Sequence, residues 1–173
     1  MRIWRIISKR RSATPFDGIG ASRVGGRWNN IGVHAVYTSE HLPTAVLELL
    51  AHADASDLVG EYVQIEAEIP DKAIEHVAAT HLPDGWQSLP APLTSQTFGD
   101  AWLARRSHLA MAVPSAIVPG YLNIILNPLH PDMTTLRELQ RAPFVFDDRL
   151  IKTAAAETQE RKSKRKSSKG TKP

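Results

Sequence analysis

Apolar and polar positions along this chain recur with two different periods. Ile3 to Ser8 predicts a strand, with Ile3 and Ile7 on one face and Trp4 and Ile6 on the other. Val33 to Thr38 predicts a second: Val33, Ala35 and Tyr37 share one face, and His34, Val36 and Thr38 share the other. The period then lengthens. Leu42, Ala45, Val46, Leu49, Leu50 and Ala53 fall at helical spacing, with Ser39 as the expected N-cap. Glu48 falls just beyond the edge of that apolar stripe, where a side chain borders the core and can look into a cleft. An exposed helix glutamate is the plainer alternative. Glu61 to Ile69 alternates again, predicting Val63, Ile65, Ala67 and Ile69 inward and Glu66 and Glu68 toward solvent.

Farther on, Asp71 to Ala79 predicts a short helical turn, and His81 to Pro92 a proline-rich ordered loop carrying Trp86. Thr94 to Ser107 predicts a helix bearing Phe98, Trp102 and Leu103, interrupted near its start by Gly99. Pro114 has no N–H for a ladder, so it predicts a sheet edge or bulge beside Ser115. Tyr121 to Asn127 predicts a strand with Asn123 and Asn127 on one face, where strand amides ordinarily serve turns or local backbone. Pro143 to Asp147 predicts the last strand. Strands dominate, with at least two helices between them, which gives an α+β fold in one domain. Its predicted extent is residues 1–152. Residues 153–173 form a low-complexity basic tail expected to be disordered.

Between the first two strands lies a stretch with five of the ten glycines, Gly18, Gly20, Gly25, Gly26 and Gly32, and it predicts a long irregular loop whose backbone can approach a ligand. It is not a Walker loop, because no Gly-Lys-Ser/Thr follows. Nor is it a dinucleotide fingerprint, because Arg23 stands where the third glycine belongs. Trp28 is expected to pack into the core or a pocket wall. Arg27 in the loop, Tyr37 in the strand and Glu48 in the helix give a cation, an aromatic face and a carboxylate on successive elements. Converged on one pocket, they suit a ligand with phosphates, a flat ring and a bond whose rupture leaves positive charge.

Composition removes several alternatives. The chain has no cysteine, hence no disulfide, thiol nucleophile or cysteine-bound metal. Its seven histidines form no His-Glu-x-x-His motif or close pair, so no metal is expected. Ser115 lacks the glycines of a Gly-x-Ser-x-Gly elbow. No run of about 18 apolar residues predicts a membrane span, and the N-terminus lacks an apolar signal core, which predicts a cytoplasmic protein. The pI near 9.3 misleads. The last thirteen residues hold seven Lys or Arg and no acid, which leaves 14 basic against 18 acidic side chains in residues 1–160, a net of −4. Direct nucleic-acid binding would therefore rest on the tail alone.

Six pieces together resemble the RES-domain toxins: Gly-Gly-Arg-Trp-Asn at 25–29, Tyr-Thr-Ser at 37–39, Leu-Glu at 47–48, Val-Pro-Ser-Ala at 113–116, Asn123 through Asn127-Pro128 to His130-Pro131, and Phe-Asp-x-Arg-Leu at 146–150. The resemblance runs from near residue 2 to about residue 151. It implies a fold similar to ADP-ribosyltransferase toxins and NAD+ as substrate. The Arg, Glu and Ser that name the domain would be Arg27, Glu48 and Ser115. It implies that Arg27, with Arg23 as a second contact, holds the diphosphate and that Tyr37 meets the nicotinamide. Glu48 would stabilise the ribosyl cation, and Ser115 would hydrogen-bond nicotinamide, ribose or Glu48. Asn123 and Asn127 would shape the pocket wall. The implied partner is a helix-turn-helix (Xre-like) antitoxin, through which any contact with nucleic acid would be indirect. The implied role is a growth-arresting toxin that cleaves NAD+. Transfer of ADP-ribose to a protein acceptor is the alternative. The lysine-rich tail is a departure from the family pattern.

Overall fold

A computed structural model describes residues 1–53, 58 and 60–150, so the basic tail and its boundary lie outside the described residues. In chain order the elements are β1 (Arg2–Ser8), α1 (Ile19–Val24), β2 (Val36–Ser39), α2 (Leu42–His52), β3 (Tyr62–Glu68), β4 (Ile74–His76), α3 (Leu93–Arg105), β5 (Ala110–Pro114), β6 (Leu122–Leu126) and β7 (Arg137–Phe144). The seven strands form one mixed sheet in the order β4-β5-β6-β2-β1-β3-β7. Only the β4–β5 pair is parallel. The fold is α+β, with the sheet as its core.

Register decides what each sheet face carries, because side chains alternate strictly along a strand. On one face Ile3, Val36, Ala67, Ala110, Ala112, Ile124 and Leu126 form a buried layer, covered by Phe16, Met133 and Leu136. The opposite face carries two separate blocks. Over β5 and β6, Trp28, Trp86, Trp102 and Leu103 pack on Met111, Val113 and Ile125. Over β1 and β3, the α2 side chains Val46, Leu49 and Leu50 pack with Ile6, Tyr62 and Phe146. Where the blocks meet, β2 and β6 present Tyr37, Ser39 and Asn123, since Tyr37 pairs with Ile125 and Ser39 with Asn123.

Several sequence expectations need correction. The glycine stretch is not wholly irregular, because it contains α1. The second strand starts at Val36 because the Val33 carbonyl accepts from Asn29 Nδ2 at 2.9 Å. Ser39 is a strand residue, and His41 occupies the N-cap of α2, with Pro43 in the first turn where its missing N–H is harmless. Glu66 is buried and pairs with Arg2 at 3.2 Å rather than facing solvent. The segment after Asp71 makes one 3-10 turn and then β4, whose three residues are too short for periodicity to register. Pro114 closes β5, which has neighbours on both sides, so it marks the end of a strand and not an edge. The last strand is β7, an exposed edge strand whose polar sequence hides it from a hydrophobic pattern.

Gly99 does not interrupt α3, which runs unbroken from Leu93 to Arg105. A Cβ on Gly99 would stand 2.0 Å from the Trp28 carbonyl oxygen. The glycine lets the helix lie directly on the backbone of the glycine-rich segment. Three hydrogen bonds fasten that contact: Asn30 N–H to Asp100 Oδ1 at 3.0 Å, Asn30 Nδ2 to Asp100 Oδ2 at 2.7 Å, and Gln96 Nε2 to the Gly26 carbonyl at 3.1 Å.

Candidate functional site

Glu48 projects from α2 and is half-buried. Two side chains donate to one of its oxygens: Ser115 Oγ to Oε1 at 2.8 Å and Asn123 Nδ2 to Oε1 at 2.5 Å. Among the described residues, none hydrogen-bonds Oε2. The carboxylate is thus anchored through one oxygen, and the other has no hydrogen bond to the described residues. Ser115 is itself fixed, since its Oγ accepts from Ile117 N–H at 3.1 Å and Val118 N–H at 3.0 Å. With both backbone donors on its lone pairs, the hydroxyl proton is directed at Glu48.

Arg27 lies in the same electrostatic neighbourhood. Burial lowers its guanidinium from the usual arginine value, while the charge of Glu48 acts against that fall. It remains a cation at neutral pH. Its Nη1 donates to the Trp86 carbonyl and to the Ser88 carbonyl, the latter at 3.1 Å. These contacts tie the glycine segment to the proline-rich loop. Nε and Nη2 have no protein partner among the described residues, which leaves two nitrogens of the guanidinium fork, with three N–H groups, available to an anion.

The Tyr37 hydroxyl points into the protein. It donates to Asn29 Oδ1 at 2.7 Å and accepts from Trp28 N–H at 2.9 Å. Burial pushes its pKa far above the usual phenol value, against the smaller opposing pull of the Trp28 N–H and of Arg27, so it stays neutral. Gly26 makes this approach possible: a Cβ there would sit 2.4 Å from the Tyr37 hydroxyl. Asn29 is fully buried, and its Nδ2 holds the carbonyls of Ala21, Asn30 and Val33. Tyr37 therefore braces the segment that carries Arg27 while its ring remains half-buried.

Glu48, Ser115 and Asn123 are thus joined by hydrogen bonds, and Arg27 lies within electrostatic reach of Glu48 and Tyr37. Two further candidates stand apart from that network. Asn127 is 2% exposed, and its amide bridges the Leu103 carbonyl at 2.7 Å and the Leu129 N–H at 3.1 Å, so it serves the turn and not the pocket wall. Arg23 is exposed in the last turn of α1 and forms no hydrogen bond to the others.

Three residues escaped sequence reasoning. Ser39 donates to Asn123 Oδ1 at 2.8 Å. Its place two residues after Tyr37 in a strand was the available signal, since that spacing puts both on one face. Asn29 carries the hydrogen bonds that shape the glycine segment. Arg5 reaches under β2 from the other face and donates to the Tyr37 carbonyl at 2.6 Å; burial brings its pKa down to about 10. Nothing in the sequence pattern separates that arginine from its basic neighbours.

Chemically, the arrangement offers a carboxylate oxygen without a hydrogen bond to the described residues, within electrostatic reach of a guanidinium with free donors. It can stabilise a developing cation with one group and grip an anionic part of the same ligand with the other.

Residues 2–147 match the family described as RES domain. A protein of Yersinia enterocolitica serotype O:8 / biotype 1B named Toxin Res is 38% identical over 151 residues, covering 87% of this chain and 99% of that one. The Prs ADP-ribosylating toxin of Sphingobium sp. is 34% identical over 156 residues, covering 87% and 97% respectively. Among solved structures, a chain of the M. tuberculosis MbcT–MbcA toxin–antitoxin complex superposes with a TM-score of 0.68 at 20% identity, covering 90% of this chain and 88% of that chain, which speaks for the fold. With the family match running over residues 2–147 and relatives up to 38% identical along nearly their whole length, the chain belongs to the RES domain family.

Proposed function

We propose that the protein is the toxin of a toxin–antitoxin pair and acts on NAD+ in the cytoplasm, cleaving the bond between nicotinamide and ribose. The observation that carries this reading is the half-anchored Glu48 carboxylate within electrostatic reach of Arg27. When the C1′–N bond breaks, its electron pair leaves with nicotinamide, which departs neutral, and the ribose becomes an oxocarbenium-like cation. Oε2 of Glu48 is the group suited to that cation, and to orienting the water that adds at C1′ and loses its proton. Nε and Nη2 of Arg27 suit the diphosphate. The half-buried ring of Tyr37 offers a face or edge to nicotinamide. Ser115 and Asn123 hold the carboxylate. Arg23 offers a further phosphate contact from α1. The partner would be a helix-turn-helix (Xre-like) antitoxin, a role consistent with the toxin names of the relatives.

A second reading keeps the same cleft and changes the acceptor: ADP-ribose is transferred to a protein side chain in place of water. The name of the Sphingobium relative favours it. One experiment tests both. Purified protein is incubated with NAD+ and a cell extract, and free nicotinamide, free ADP-ribose and labelled protein are measured. Release of nicotinamide with ADP-ribose supports hydrolysis; release with labelled protein supports transfer. Glu48→Gln keeps the shape and removes the charge, and is expected to lower turnover about 10²–10³-fold. Absence of any nicotinamide release by the wild type, or an unimpaired Glu48→Gln variant, overturns the reading.

A further inference from the structure

We infer that Ser39 is a positioning residue that acts on Glu48 through Asn123. The inference rests on Glu48 being the reactive carboxylate of the proposed function, and it adds a residue to which that reading gave no part. Ser39 and Asn123 are directly paired across β2 and β6. Paired residues in an antiparallel ladder bring their Cβ atoms to about 4.5–5.5 Å, so their side chains meet on the same face. Ser39 is 3% exposed, and its hydroxyl donates to Asn123 Oδ1 at 2.8 Å. At the other end of that amide, Nδ2 donates to Glu48 Oε1. The chain of donors runs one way, from hydroxyl to amide to carboxylate.

Two physical consequences follow. A hydrogen bond into the amide oxygen draws electron density from the nitrogen, which strengthens the N–H donor toward the carboxylate. The same bond holds Asn123 in one rotamer, so that Oε1 is pinned from the β6 side while Ser115 pins it from the loop after β5. With both donors on Oε1, rotation of the carboxylate is restricted and Oε2 is held in one orientation. Ser39 hydrogen-bonds Asn123 and not Glu48 itself. Its loss should therefore weaken transition-state alignment and leave ground-state binding of NAD+ intact, which reads as a fall in kcat with KM unchanged.

The test is a double-mutant cycle on the full chain with Ser39→Ala, Asn123→Ala and the double variant, each assayed for kcat and KM of NAD+ cleavage. Ser39→Ala is expected to lower kcat about tenfold with KM within about twofold, as loss of one buried hydrogen bond implies. In the Asn123→Ala background the same change should alter kcat less than about twofold, because the link is already cut. Additive losses in the cycle, or wild-type kcat in Ser39→Ala, overturn the proposal. A structural role for Ser39 would instead lower stability and activity alike in both backgrounds. A readout independent of turnover is the NMR signal pair of the Asn123 side-chain NH2. It should move in Ser39→Ala and in Glu48→Gln, and an unmoved pair in Ser39→Ala refutes the relay even with NAD+ cleavage present. If the pair moves but the wild type releases no nicotinamide, the relay stands and the assigned reaction falls.

Discussion

Replacing Gly99 by alanine inverts a general rule, which makes it a sharp test of how the cleft is built. In an ordinary helix interior, Gly→Ala stabilises by about 1 kcal/mol, because alanine restricts the unfolded chain and favours the helix. At position 99 the added methyl would lie 2.0 Å from the Trp28 carbonyl oxygen and 2.6 Å from its carbon. A tolerable carbon–oxygen contact is about 3.3 Å, so α3 and the glycine segment must separate by roughly 1.3 Å. The obstacle is backbone, which cannot rotate away as a side-chain tip could. Overpacking of this kind costs about 1–3 kcal/mol. The separation also strains the bonds from Asn30 to Asp100 and from Gln96 to Gly26, each worth about 1 kcal/mol. Subtracting the helix gain leaves a net loss of about 3–5 kcal/mol if all three bonds are lost, or about 6–20 °C in melting midpoint for a domain of this size. Urea denaturation followed by tryptophan fluorescence measures it, with the exposed helix substitution Thr97→Ala as a control expected to shift stability by less than about 0.5 kcal/mol. A Gly99→Ala protein as stable as the wild type, or more so, would refute the argument that close backbone contact sets this wall. Nicotinamide release should fall in the same variant, since Arg27 adjoins the displaced Trp28.

Other substitutions probe the remaining supports. Tyr37→Phe keeps the ring but leaves the Trp28 N–H and Asn29 Oδ1 unpaired; it is expected to cost about 2 kcal/mol, measured by urea titration, and to reduce turnover through the displaced Arg27. Asp17 accepts from Thr14 Oγ1 at 2.6 Å and Ile19 N–H at 2.9 Å. Burial raises its pKa, but those bonds, together with the charges of Arg5 and His34, outweigh that and hold it below its ordinary 3.8. A carboxylate depressed in the folded state stabilises above the unfolded pKa and loses that contribution as pH falls through the folded value. Asp17→Ala should therefore cost about 1 kcal/mol at pH 7, an amount kept small by solvent screening, and the difference from wild type should close below pH ~3.8. An undiminished difference at pH 2.5 would argue against that linkage.

The sequence by itself determined the parts with strong local physics. Strand alternation at Ile3–Ser8 and helical spacing from Leu42 to Ala53 reappear as β1 and α2, because each period alone specifies which side chains can share a face. The Arg, Glu and Ser motifs were legible as text, and so was the absence of cysteine chemistry. What the sequence could not determine was which polar groups meet. Ser39 read as a helix cap because capping is a local habit of serine, whereas β6, more than eighty residues later, supplied the amide that holds its hydroxyl at 2.8 Å. Asn123 and Asn127 looked equivalent on one strand face, yet only Asn123 lies opposite Ser39 in the register, while Asn127 ends the strand and ties down a turn. Gly99 read as a helix flaw until a carbonyl was found resting on it. Hydrophobic period is a property of neighbouring residues and survives in one dimension. Hydrogen-bond partnership depends on the register between distant strands, which exists only once the sheet has formed.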